Sequence, residues 1–257
     1  MSAATGGARA RRRARRPWVV LIIVVLAAVL VVAAELIARA VVPSVVRGLV
    51  IDELELPADQ QLDVEASGIL LPQLLTGSLD ELRLSSDEVT IGGITGAAEV
   101  TATGVPLSAG ELGSAEGTVS IDQSQFAALL SASDLPISEI SVDEPDVTVH
   151  GGIAVLGRQI PLSLTLTPGA DDGDLMLTPV SAAVAGNEID LQRLAALFGD
   201  AGAALADTQR VCIADQLPAG ITLTGLRIDG TAVVADISAD GRIGVDQSLL
   251  EPGTCPR

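Results

Sequence analysis

The stretch GRQIPLSLTLTP, Gly157 to Pro168, alternates almost without error. Ile160, Leu162, Leu164 and Leu166 point one way, and Pro161, Ser163, Thr165 and Thr167 the other, which is the period of a half-buried strand. What covers the aliphatic side decides the fold, because the chain has 2 Phe, no Tyr and 1 Trp. Aliphatic strands of the same kind recur at EVTATGVPL, AEGTVSI, ISEISVDEPDVTVH, GIAVLG and DLMLTPV, separated by Gly- and Asp-rich turns. Within SLDELRLSSDEVTIGG the parity slips at Ser85-Ser86, the mark of a bulge or a strand break. GITLTGLRID and TAVVADISADG read as a hairpin whose parity changes at Gly225.

Helical spacing interrupts the strands. Leu70 to Thr76 reads as a short helical turn stopped by Gly77. IDQSQFAALLSAS places Phe126, Leu129 and Leu130 on one helix face, with Asp122 and Gln125 as a capping pair. NEIDLQRLAALFGDAGAALA carries Leu191, Leu194, Leu197 and Phe198, with Gly199 as a stop or a weak point. The expected architecture is α+β: a long antiparallel sheet, curled by bulges, wrapped around a few helices.

The N-terminus bounds the compartment. Six Arg, at positions 9, 11, 12, 13, 15 and 16, precede an uninterrupted apolar run from Trp18 to Ala34. As a helix this run is about 25 Å long, the lower limit for a membrane span. The positive-inside rule keeps the Arg cluster cytoplasmic and sends the remainder across the membrane. Three segments follow: a cytoplasmic tail at 1–17, a transmembrane anchor or signal segment at 18–42, and an extracytoplasmic domain at 43–257. The small-x-small pattern at Ala38-Arg39-Ala40 carries an Arg that disfavours cleavage, so the anchor is expected to stay. The connector is expected to be helical up to the residue before Pro43 and to resume after it.

From Pro43 onward 8 Arg stand against 32 Asp and Glu. Such a domain is a poor ligand for nucleic acid or for anionic surfaces, which need basic patches. Cys212 and Cys255, both exported, are expected to form a disulfide rather than part of a metal site. His150, the single histidine, falls at the end of a strand with Asp146 and Thr148 and reads as an exposed residue, not a base. No nucleophile triad can be assembled, DDGD at 171–174 reads as a hairpin turn, and no catalytic residue, cofactor or metal is expected. Abundant aliphatic surface with almost no aromatic anchors and no reactive group suits ordinary core packing or an acyl-chain ligand; two readings compete with lipid binding, an envelope interaction module with a solid core and a glycan hydrolase using two carboxylates.

Four segments in order resemble a known family: SGILLPQLLTGSLDELRLSSDEVTIGG, GVPL, the run VHGGIAVLGRQIPLSLTLTPGADDGDLMLTPVSAAVAG, and LPAGITLTGLRIDG. Together they look like the LmeA-like phospholipid-binding proteins of high-GC Gram-positive bacteria, over roughly Val50 to Asp246. The resemblance implies a membrane-anchored envelope protein with a tubular-lipid-binding-like fold, non-enzymatic, engaged with phospholipid and with envelope glycolipid maturation. On this reading an acyl chain lies against Leu70, Leu74, Leu75, Phe126, Leu129, Leu130, Ile160, Leu162, Leu164, Leu194 and Phe198. Relatives tend to carry aromatics where this chain has Ile69, Leu70 and Leu71, so the cavity shape should differ. A headgroup phosphate would have to meet Arg83, Arg158, Arg193, Arg210, Arg227, Arg242 or the terminal residues.

Overall fold

The structure, a computed structural model, describes residues 16–53, 57, 60–91, 94–125, 137–155 and 158–255. Its first element, α1 (Arg16–Glu53), is a single helix of 38 residues. Pro43 lies inside it, where a pause was expected. Interior proline costs a helix about 3 kcal/mol, and the packing of Ala38, Val42 and Val46 against the domain on either side of Pro43 offsets that cost. The Ser44 hydroxyl also donates to the Val41 carbonyl at 2.7 Å. These contacts straddle the boundary expected at residue 43.

Among the described residues, twelve strands form two antiparallel sheets. Sheet A has the order β1-β2-β3-β4-β12-β11, from β1 (Asp63–Ala66), β2 (Ser78–Ile91), β3 (Ile94–Pro106), β4 (Ser114–Asp122), β11 (Ile221–Asp229) and β12 (Ala232–Ala239). Sheet B has the order β10-β8-β7-β6-β5, from β5 (Ile137–Asp143), β6 (Asp146–Val155), β7 (Arg158–Asp171), β8 (Asp174–Val184) and β10 (Gln209–Val211). The short β9 (Asn187–Ile189) also pairs with β8. The antiparallel α+β class is as expected, while the single long sheet divides in two after β4.

Register explains the parity slips. Pairing of β2 with β3 shifts between Ser86 and Val89, and pairing of β11 with β12 shifts between Leu223 and Gly225. DDGD closes the β7–β8 hairpin, with Asp172 and Gly173 both at positive φ (51° and 84°) as the favoured two-residue hairpin turn requires.

Helix α2 (Leu70–Thr76) ends at Gly77 in the left-handed conformation. The long second amphipathic helix is broken at Gly199 into α3 (Leu191–Phe198) and α4 (Asp200–Ala206). The helix expected around Phe126, Leu129 and Leu130 lies outside the described residues beyond its first turn at 123–125, where Asp122 accepts from the Ser124 amide (2.9 Å) and hydroxyl (2.7 Å).

Two aliphatic clusters hold the molecule together. At one edge of sheet A, Ala38 of α1 and Leu70 of α2 pack on Leu79 and Leu82 of β2. At the other edge, Ile228 of β11 packs against Ile140 and Val142 of β5, joining the sheets. The Gln123 side-chain amide donates to the Ile140 carbonyl across the same junction. Cys212 and Cys255 form the expected disulfide.

Candidate functional site

The pairing registers of sheet A generate rows of side chains running across the strands. One row is Ala66, Leu82, Ala102, Ala115, Ala239 and Ile221. The next is Val64, Leu84, Val100, Gly117, Ile237 and Leu223, followed by Ala98, Val119, Ala235 and Leu226. Alternate rows carry Glu65, Arg83, Thr101, Glu116 and Ser238, so sheet A has one aliphatic face and one polar face.

The aliphatic face is covered unevenly. The C-terminal half of α1 lies over β1 and β2, and sheet B lies over β11. Between them, Ala98, Val100, Gly117, Val119, Ala235 and Ile237 are only half-buried. This leaves a half-covered aliphatic strip, or trough, along β3, β4 and β12, with α1 over one flank and sheet B over the other. The Ile237 side chain lies over Gly117, where a β-carbon would come within 3.1 Å of it, so glycine lets the two strands share that part of the face. Periodicity alone passes over such a floor, since alanine and glycine carry little hydrophobic signal; the pairing register is what reveals it.

The polar face holds a concavity of about 380 Å³ lined by Glu99, Thr101, Glu116, Thr118 and Asp236 among others. Another, of about 600 Å³, lies at Gln60, Gln61, Asp63 and Ser85 to Glu88. Neither has the lining an acyl chain needs.

The residues expected to touch lipid are distributed as follows. Leu70 is buried at 1% exposure beneath α1, as structural core. Leu74 and Leu75, on the same short helix, face outward at 37% and 88%. Ile160, Leu162 and Leu164 are half-buried on β7, which packs across β11. They share a face of sheet B with Val149, Ala182 and Val184. Phe126, Leu129 and Leu130 lie outside the described residues, and for Leu194 and Phe198 the backbone alone is described, on α3 beside β8.

The arginines considered for a headgroup are largely engaged. Arg83 pairs with Glu99 at 2.6 Å, Arg227 with Asp236, and Arg242 with Asp240 at 2.9 Å. Arg210 bridges Asp171 and Asp174, whose hydrogen bonds push its guanidinium pKa still higher. A phosphate arriving at any of these four must compete with a carboxylate already in place. Arg158 has only its backbone described, and Arg193 is exposed on α3.

His150, half-buried on β6, lies in register with Glu139 of β5 and Ser163 of β7. No cluster of three His, Cys, Asp or Glu able to hold a metal occurs among the described residues. One helix, over Trp18–Ile51, is long and apolar enough to cross a membrane, and it leads directly into the two-sheet domain. An apolar helix that fits a single-pass anchor, joined to a two-sheet α+β domain with a half-covered aliphatic face, is the class of architecture the chain presents. The chain belongs to the LmeA-like phospholipid-binding family, whose description fits residues 33–238. No curated protein and no solved structure matches it.

Proposed function

We propose that this protein is an extracytoplasmic, membrane-tethered phospholipid-binding protein that holds an acyl chain without covalent chemistry, in support of envelope lipid or glycolipid maturation. The observation that carries the reading is the trough: aliphatic rows continuous across sheet A whose middle, at Ala98, Val100, Gly117, Val119, Ala235 and Ile237, is left half-buried between two covered edges. A floor of small residues removes little area from water by itself, and an acyl chain laid along it would bury both surfaces at about 25 cal/mol per Å². Ile160, Leu162 and Leu164 line the adjoining sheet and would meet the same ligand, together with the helix carrying Leu194. Leu70 serves this site as a support. Orientation follows from the Arg cluster preceding the span, which holds the N-terminus in the cytoplasm.

The test is photolabelling of the full chain in lipid nanodiscs with a phospholipid bearing a diazirine midway along one acyl chain. Labelling of peptides from β3, β4 and β12, competed by unlabelled phospholipid, is the expected result. Labelling confined to α1 would mean that only the anchor meets lipid, and would favour an envelope interaction module with a closed core.

A further inference from the structure

The contacts between α1 and the domain fix which end of the domain faces the membrane. Gln60 accepts from Arg47, the Gly68 carbonyl accepts from Arg39, and the Leu70 and Leu71 amides donate to the two oxygens of Glu35 at 2.9 Å each. As the chain runs from residue 60 to 71 it therefore descends α1 from residue 47 to 35, back toward the apolar run. Antiparallel pairing carries this polarity through the sheet: Leu82 pairs with Ala66 and Ser78 with Pro106, so the start of β2 and the end of β3 lie at the same lower end. Leu107, the next residue, donates its amide to the Gly77 carbonyl at the foot of α2.

That lower end is unusually apolar for a free surface. Leu75 is 88% exposed, Ile69 63% and Leu107 45%, with Leu74 beside them. Its height is fixed by Glu35, the residue immediately after the apolar run. A run of about 25 Å is shorter than the roughly 30 Å hydrocarbon core, so Leu36 and Ile37, both exposed, are needed to complete the span. Glu35 then lies just inside the hydrocarbon–headgroup boundary, within about one helical turn of it, its charge met by Arg39 and two backbone N–H groups.

We infer that α2 and Leu107 form a membrane-seated edge, with Ile69, Leu74, Leu75 and Leu107 inserted among the acyl chains of the leaflet from which α1 emerges. Asp80 and Glu81 flank the edge at the start of β2, so the contact is apolar, not an electrostatic attraction to anionic lipid, and it persists in high salt. Because β3 and β4 run upward from this end, the trough opens toward the leaflet, and a phospholipid tail could enter it without crossing water. That last consequence rests on the proposed lipid-binding function; the seating itself rests only on the span.

The test uses the full chain in nanodiscs with an environment-sensitive nitrobenzoxadiazole label on a single introduced cysteine, the native pair being sealed as a disulfide. L75C and L107C report on the edge and E88C, exposed near the opposite end of β2, on the top of the domain. Expected are blue-shifted emission and loss of intensity with shallow doxyl-labelled phospholipid for L75C and L107C, at low and high salt, and an aqueous, unquenched spectrum for E88C. Aqueous spectra at both edge positions, or equal quenching at E88C, would overturn the inference. Leu75 and Leu107 make few contacts, so these variants fold. Edge quenching without diazirine labelling of β3, β4 and β12 would separate a correct seating from an incorrect lipid-holding assignment.

Discussion

Leu70→Ala and Leu75→Ala, the same substitution five residues apart on one short helix, should have opposite consequences. Leu70 is 1% exposed and sits where α1, α2 and β2 meet, against Ala38, Leu79 and Leu82. Truncation removes three carbons, worth roughly 2.4 kcal/mol at about 0.8 kcal/mol each. The cavity left under a helix pinned from above by Glu35 raises the total to about 3–4 kcal/mol, within the range for buried Leu→Ala changes. Leu75, at 88% exposure, has almost no protein contacts to lose, so its truncation opens no cavity in the domain. Pulse proteolysis and hydrogen exchange of the full chain in nanodiscs across a urea series read both. The Leu70 variant should unfold at markedly lower urea and lose amide protection through α2 and the start of β2, while the Leu75 variant should keep that protection and lose only what its lipid contact contributes. Equal destabilisation by the two, or none by Leu70→Ala, would refute the assignment of Leu70 to the core and of Leu75 to an outward surface.

Glu35→Gln should leave one acceptor oxygen where the carboxylate offers two, freeing one of the Leu70 and Leu71 amides, visible as faster hydrogen exchange there; unchanged exchange would show that α2 is held without this cap. Replacing Cys212 and Cys255 by Ser opens a loop whose ends are 43 residues apart and should cost about 4 kcal/mol in the chain-entropy treatment, detaching the tail that Ala219, Gly220 and Gly253 hold by backbone hydrogen bonds; proteolysis of the tail at unchanged rate would contradict this. Asp240 is pulled from 3.8 to about 2 by the Arg242 side chain and backbone N–H. A carboxylate with a depressed folded pKa stabilises above its unfolded value and loses that contribution as pH falls from 3.8 toward about 2. The turn at Gly241–Gly244 should therefore lose exchange protection across that acid window, whereas Asp240→Asn, which keeps an acceptor for the Arg242 amide but carries no charge, should show no such transition.

Much of the fold was legible because local chemistry dictated it. Gly77 stops α2, Asp172-Gly173 supplies two residues tolerant of positive φ, and the parity slips at Ser85-Ser86 and Gly225 mark real changes of register. Where the sequence reading differed from the structure, tertiary contacts had overridden local preference. Pro43 is tolerated in α1 because Ala38, Val42 and Val46 are already packed on β1, β2 and α2. The cap of α2 comes from Glu35, 35 residues away, which no search for a neighbouring Ser, Thr, Asp or Asn would find. Leu70, Leu74 and Leu75 were grouped by type, yet only the placement of α2 under α1 separates the buried one from the outward pair. The trough was hidden for another reason: its floor is defined by which small and aliphatic residues come into register across three strands, a property of pairing and not of any one segment.

The continuity of α1 has a mechanical meaning. Thirty-eight residues of helix extend about 57 Å, and the part above the leaflet is bonded sideways to the domain at Glu35, Arg39 and Arg47. No swivel separates the two bodies, so tilting or rotating the span turns the sheets with it like a rudder on its post. While the chain remains in one piece, the reach of the domain is that of a fixed mast, set by the length of α1.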